Sequence, residues 1–168
     1  YTRKGILQLA VHPDNSQRRF WNKSLEWMKR HHLIWYLLLM GFTLAVYAVT
    51  MLPGLASWGD SAKFQFIGKV LGTPHQPGYP LYVLFNYLFI HAVPIGTIAL
   101  RVNLLSAVFA LAALLVFLNL LLVLKLRPWV AFLTTLSFAF MYSTWLYAII
   151  PEVYSLNLLF LVIAALLL

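Results

Sequence analysis

The sequence predicts an all-α, polytopic membrane protein, and three observations carry that reading. Hydrophobic residues make up 62% of the 168 positions and charged residues only 10%, a balance that one polar surface cannot cover in water. Uncharged runs of spanning length recur along the chain, at about residues 33–52, 102–124 and 129–150, and a further uncharged stretch fills 153–168. Lys and Arg crowd into the first thirty residues instead of being scattered over a surface.

Residues 1–32 form a basic leader, holding seven of the twelve Lys and Arg (Arg3, Lys4, Arg18, Arg19, Lys23, Lys29, Arg30). In a soluble protein a net charge of +8 would suggest nucleic acid; in a membrane protein such a cluster is a topology signal. We therefore place the leader in the cytoplasm and expect no nucleic-acid partner. Trp21, Leu25 and Met28, at i, i+4 and i+7, fit a short amphipathic helix along the interface.

Leu33–Leu52 is the first expected span, about 30 Å long as a helix. A cleaved signal peptide, with Ala56-Ser57 after it, is the competing reading, but the apolar core is too long and the leader too extended. Pro53 and Gly54 end the helix. The basic connector Lys125-Leu126-Arg127-Pro128 between the second and third spans belongs on the cytoplasmic side with the leader. An even number of crossings must then separate them, so 33–52 and 102–124 cross, and the apolar stretch 81–93 does not. That stretch reaches only about 20 Å, contains Asn86 and His91, and is bracketed by Pro80 and Pro94. Residues 53–101 become an outer loop carrying a non-crossing helix, and the turn at Pro151-Glu152 shares its side. The uncapped apolar end reads as the N-terminal part of a longer protein. Cysteine is absent, so the chain contains neither a disulfide nor a thiolate metal site.

Only four acids occur, and Asp60 and Glu152 are the two outside the leader. Both fall in the predicted outer compartment, with Lys63, His75, Tyr79 and Arg101. Phe64, Ile67 and Leu71 have helical spacing, with Gly72 placed as a stop, so a short membrane-lying helix should start at Asp60. A helix cap is one role for that carboxylate and a functional group the other. Pro74, Pro77 and Pro80 recur every third residue and suggest a stiff polyproline-type stretch.

Three motifs in order, Gly59-Asp60-Ser61, then His75-Gln76-Pro77-Gly78-Tyr79-Pro80-Leu81, then Arg101-Val102-Asn103-Leu104-Leu105, together with Pro151-Glu152-Val153-Tyr154-Ser155, resemble the N-terminal part of a particular membrane family. It contains the vertebrate multi-pass protein O-mannosyltransferase acting on plexin-type receptors and many uncharacterised bacterial relatives, within the GT-C superfamily of glycosyltransferases. The resemblance covers roughly residues 34–168. It implies a GT-C-like module with membrane-parallel helices in its first outer loop, a catalytic Asp there matched by Asp60, and a further acid in the second loop for which Glu152 stands. It implies a polyprenyl-phosphate sugar as donor substrate rather than a cofactor, a protein or glycan hydroxyl as acceptor, transfer with inversion on the non-cytoplasmic side, and residence in a bacterial inner membrane or the endoplasmic reticulum membrane. The family usually carries Glu where this chain has Lys63.

Such chemistry needs a base for the acceptor hydroxyl and cations for the departing phosphate. Asp60 is the candidate base. Arg101 suits a phosphate by its bidentate fork, or snorkels at a helix end. Lys63 and Lys69 add positive potential or face headgroups. His75 is a candidate contact to donor or acceptor, Tyr79 stacks on sugar or packs at the interface, and Glu152 orients a substrate or simply suits a helix N-terminus after Pro151. No His, Asp or Glu pair has ligand spacing, so no metal is expected. A transporter is disfavoured because the spans carry no charge and Asn119 is their main polar group; a non-catalytic scaffold or inactive relative is the remaining alternative.

Overall fold

The computed structural model describes the backbone of residues 15–55 and 59–168 and the side chains of residues 32–55 and 59–168. The leader's first fourteen residues, the Ala56-Ser57 cleavage reading and the side chains of Trp21, Leu25 and Met28 lie outside the described residues. The chain divides into two units, Tyr1–Ile34 and Trp35–Leu168. Within the first, the described backbone is the opening of helix α1; everything that follows concerns the second.

Seven helices and no strands are found among the described residues: α1 (Asn15–Thr50), α2 (Ser61–Val70), α3 (Pro80–Ala92), α4 (Ile98–Val123), α5 (Pro128–Ala139), α6 (Tyr142–Ile149) and α7 (Tyr154–Leu167). The all-α expectation holds. Two stretches are long and apolar enough to cross a membrane, His32–Thr50 within α1 and Ile98–Val123, which is α4. They coincide with the first two predicted spans. The helix expected over 81–93 is α3, thirteen residues opened by Pro80 at its first position, where the missing N–H costs nothing.

α4 is the central helix and packs on α2, α3, α5, α6 and α7. Its start is fixed by Thr97, whose Oγ1 accepts from the Leu100 N–H at 3.2 Å. Ala99, Ser106, Ala107, Ala110 and Ala113 are buried along it, and small side chains let neighbouring helices approach closely. α1 contributes a narrow buried stripe, Leu39, Thr43 and Tyr47, at fourfold spacing. The Tyr36 hydroxyl donates to Asn119 Oδ1 at 3.1 Å, which satisfies the polar group that the sequence leaves inside α4.

The third expected span, 129–150, is not one straight helix. α5 and α6 meet at an angle of 66° across Phe140-Met141, where Met141 is extended. No Pro or Gly explains the break, but a side chain does. In a continuous helix the Ala139 carbonyl would accept from the backbone four residues on; here the buried Tyr47 hydroxyl of α1 donates to it at 2.9 Å. Phe140 turns inward and packs edge-on against Phe42 and Tyr47. Together α5 and α6 still have the length of one span.

Two apolar cores result. One, around Leu39, Tyr47, Leu114, Leu118 and Ala131, joins α1, α4, α5 and α6. The other, Phe64, Tyr82, Leu105, Phe109, Val153 and Leu156, lies where α2, α3, α4 and α7 converge and forms the floor of the loop region.

Candidate functional site

α2 shows why the loop region has a defined shape. Its buried face is Ser61, Phe64, Gln65 and Gly68, with i, i+3, i+4, i+7 spacing, while Phe66, Val70 and Leu71 are exposed. The expected stripe of Phe64, Ile67 and Leu71 is thus rotated, and only Phe64 of the three is buried. Polar residues turn inward because partners wait for them there. Gly68 permits the close approach of α3: a Cβ at that position would lie 2.6 Å from Asn86 Cβ. The helix ends at Val70, and the left-handed turn falls one residue before the predicted stop, at Leu71 (φ 50°), with the Gly72 N–H returning to the Ile67 carbonyl at 3.2 Å.

Beneath the site the Gln65 and Asn103 amides clamp the chain that leaves α1. Asn103 Nδ2 donates to the Leu52 carbonyl at 2.7 Å, and Gln65 Nε2 donates to Asn103 Oδ1 at 2.8 Å and to the Gly54 carbonyl at 3.1 Å. Both side chains are buried. A buried amide pair of this kind ties three segments together at fixed register, because a vacated partner would leave an unsatisfied group worth about 1–3 kcal/mol. At the far side the Leu52 N–H reaches the Ile149 carbonyl at 3.4 Å and Trp145 Nε1 reaches Thr50 Oγ1 at 3.0 Å, so the ends of α1 and α6 are joined.

On this frame Asp60 meets Lys63 and His75. Asp60 Oδ1 accepts from Lys63 Nζ at 2.9 Å, and Oδ2 lies 3.2 Å from His75 Nε2. The Asp60 side chain is 34% exposed and makes no capping bond to its own helix, so the cap reading fails for the side chain even though the residue sits at the N-cap position. Lys63, hydrogen-bonded to Asp60, with His75 adding its charge when protonated, holds the carboxyl below the usual aspartate range.

His75 is delivered by a turn in which the Gly78 N–H donates to the His75 carbonyl at 2.9 Å, with a cis Gln76-Pro77 bond inside it. The expected polyproline stretch is therefore absent: Pro77 lies inside the turn and Pro80 opens α3, so the three prolines do not share one face. Tyr79, left-handed at φ 43°, packs edge-on against Phe64 and His75, which puts its ring beside the imidazole.

Glu152 joins the same cluster from 92 positions away in sequence. It precedes α7, whose N-cap is Val153, and its carboxylate makes no helix cap. Instead Ser61 Oγ donates to Glu152 Oε1 at 2.9 Å. Burial pushes the Glu152 carboxyl up, the Asp60 charge adds to the rise, and the Ser61 bond opposes it. Two nearby acids are therefore driven in opposite directions by their surroundings.

Arg101 is not part of this group. Its Nε donates to the Ile95 carbonyl at 3.0 Å, one terminal nitrogen to Ile90 at 2.9 Å and the other to Gly96 at 3.1 Å. Ile90 lies in the last turn of α3 and Ile95 and Gly96 just beyond it, at the far end of a helix about 20 Å long whose N-cap is Tyr79. The guanidinium bonds one carbonyl in the last turn of α3 and two in the loop that follows, away from the Asp60 cluster. Lys69 makes no described contact with the cluster. Among the described residues no three His, Asp or Glu side chains gather closely enough to hold a metal ion.

Ser61, Gln65 and Asn103 escaped the sequence reading as site residues. Their signal was present: Ser61 and Gln65 stand on one helical face with Phe64, and Asn103 sits in the Arg-Val-Asn motif beside a span.

Comparison with known proteins bears directly on this segment. A family model described as the N-terminal domain of protein O-mannosyl-transferase TMEM260 matches residues 60–168. Among curated relatives, the mouse protein O-mannosyl-transferase TMEM260 is 41% identical over 119 residues, covering 69% of this chain and 16% of the relative. Its Dictyostelium discoideum counterpart is 30% identical over 118 residues, 68% of this chain and 14% of the relative. The chain thus spans only about a sixth or less of the length of these relatives, and no solved structure matches it significantly. The matched segment begins at Asp60 itself and includes Glu152, Ser61 and Asn103, and the chain belongs to the TMEM260 N-terminal domain family.

Proposed function

We propose that the chain is the N-terminal part of a membrane glycosyltransferase that moves a sugar, mannose in the first instance, from a polyprenyl-phosphate donor to a protein hydroxyl on the non-cytoplasmic side. The observation that carries this reading is the convergence of Asp60, Lys63, His75 and Glu152 at one end of α2, inside the segment shared with relatives named as protein O-mannosyl-transferases. The apolar, outward-facing surfaces of α1 and α4 supply the bilayer contact, and α3 lies in the outer loop without crossing.

In this reading the acceptor oxygen attacks the anomeric carbon as Asp60 takes its proton, while the bond from that carbon to the phosphate oxygen breaks and polyprenyl phosphate leaves from the opposite face, inverting the centre. Asp60 stays ionised at neutral pH because Lys63 and His75 favour its charge, and it is exposed enough to be reached. Glu152, ionised and half-buried, accepts a hydrogen bond that orients the acceptor. Lys63 and His75 also face the departing phosphate charge, and Tyr79 offers a ring edge to the sugar. The donor is a substrate; no cofactor is invoked.

Transfer of radiolabelled mannose from polyprenyl-phosphate mannose to a folded receptor domain, by the full-length protein in vesicles, tests this reading. Asp60→Asn should abolish transfer with insertion intact, and retained activity would remove Asp60 from the role. One observation favours a second reading, a non-catalytic relative: the Lys63 ammonium occupies the very carboxylate that would act as base. Binding of the lipid-linked sugar without transfer would select it.

A further inference from the structure

Ser61 is the first residue of α2 and is completely buried, so water cannot satisfy its hydroxyl. Serine at a helix start ordinarily bonds to its own helix. Here the hydroxyl reaches across 91 positions in sequence to Glu152 Oε1 at 2.9 Å, the one described side-chain hydrogen bond linking the first loop to the 151–152 turn.

That carboxylate has reasons to be elsewhere. It is half-buried, it feels the Asp60 charge as a like neighbour, and Asp60 keeps Lys63 and His75 for itself. Without Ser61 the side chain would gain by swinging outward to water. The backbone before α2 also lies against the carboxylate. Gly59 adopts φ +50°, a conformation that suits glycine, and its Cα side lies in ordinary contact range of Glu152 Oε1, 3.8 Å from where a Cβ would stand. Every element around Glu152 contributes a neighbour: Asp60 and Ser61 from the first loop, Tyr82 from α3, whose hydroxyl lies 3.4 Å from Ser106, and the apolar Val153 and Leu156 of its own segment. Ser61 is the only one of these with a described donor bond to the carboxylate.

We propose that Ser61 is a positioning residue, fastening the 151–152 turn to the start of α2 and holding the Glu152 carboxylate at the Asp60 site. This rests on the glycosyl-transfer reading above and adds a member to it. Because the hydroxyl stabilises the ionised carboxylate, its loss raises the pH at which Glu152 ionises, beyond any effect on placement.

The test is mannose transfer by the full-length protein against pH, for Ser61→Ala, Ser61→Thr, Glu152→Gln and the double variant Ser61→Ala/Glu152→Gln. Ser61→Ala should lower the rate roughly ten- to hundredfold, the scale of a misplaced group, and move the acid limb of the profile to higher pH. Ser61→Thr, which keeps the hydroxyl, should restore both. In the Glu152→Gln background the Ser61→Ala change should have little further effect and no limb to move. A Ser61→Ala profile like the wild type, or an equal loss in both backgrounds, overturns the proposal. If Ser61→Ala fails to insert, Ser61→Cys, which fills the same space but donates only weakly, decides: an acid limb moved to higher pH supports the proposal, and a profile like the wild type overturns it. Failure of the underlying reading looks different, since Asp60→Asn would then retain transfer whatever Ser61 does.

Discussion

Asp60 stands at the exposed start of α2 with an ammonium and an imidazole on its two oxygens, whereas Glu152 is half-buried under the same helix with one hydroxyl and a like charge for company. Both are single acids in apolar sequence, and both lie at the start of α2. Their surroundings nevertheless divide them: Lys63 and His75 hold Asp60 down, and burial lifts Glu152. The lesson is that the roles of two carboxylates are set by what α2 and the 71–79 loop bring to each. Asp60 is suited to stand ionised before it takes the acceptor's proton, and Glu152 is the acid whose ionisation its surroundings make harder.

The sharpest way to break this comparison is to remove the more exposed acid. Asp60→Asn in the full-length protein is expected to cost about 10²–10⁴ in kcat, the range of a positioned general base, with unchanged abundance in the membrane. Retention of activity would remove Asp60 from the role of base.

Glu152→Gln is expected to cost less, roughly ten- to hundredfold in kcat/KM, and its fuller signature is in the pH profile. Glu152 must be ionised and its folded value lies above that of a free glutamate, so activity falls first as pH drops through that raised value, before Asp60 protonates. The variant should lack this limb. A limb unchanged by Glu152→Gln would assign the titration elsewhere.

A stability change probes the frame the two acids share. Asn103→Leu removes the bonds to Leu52 and from Gln65 and strands buried polar groups, at about 1–3 kcal/mol, read as a lowered Tm in detergent with activity falling in step. An unchanged Tm would show that the amide clamp does not hold the loop.

The smallest effect is expected at Lys63. Lys63→Met should let the Asp60 carboxyl rise toward its ordinary value, since the leading cause of its depression is gone, with a change in rate of only a few fold. Both side chains reach water, so high salt should imitate the substitution. A complete loss of transfer would mean that Lys63 meets the phosphate directly.

Much of the architecture was legible beforehand, for identifiable reasons. Uncharged runs locate the helices around 33–52 and 102–124 because a bilayer-length helix leaves no room for charge, and prolines at 80 and 128 mark starts that the structure keeps. Asp60, Lys63, His75, Tyr79 and Glu152 do gather, as the motifs imply. Arg101 does not, because helix-end carbonyls claim a guanidinium as well as a phosphate does, and sequence cannot tell which lies nearby. The bend at Phe140-Met141 was equally hidden: its cause is a tyrosine hydroxyl from another helix, and no Pro or Gly announces it.

The sequence by itself determined the membrane-type all-α class, the positions of the long apolar helices and the scarcity that singles out two acids, because periodicity, length and charge are local properties. Tertiary structure alone decided that Ser61, Gln65 and Asn103 face inward and that Glu152 comes to the start of α2. It decided too that two acids in one neighbourhood differ in ease of ionisation. Burial and electrostatic neighbourhood are properties of packing, and they exist only once segments nearly a hundred residues apart have met.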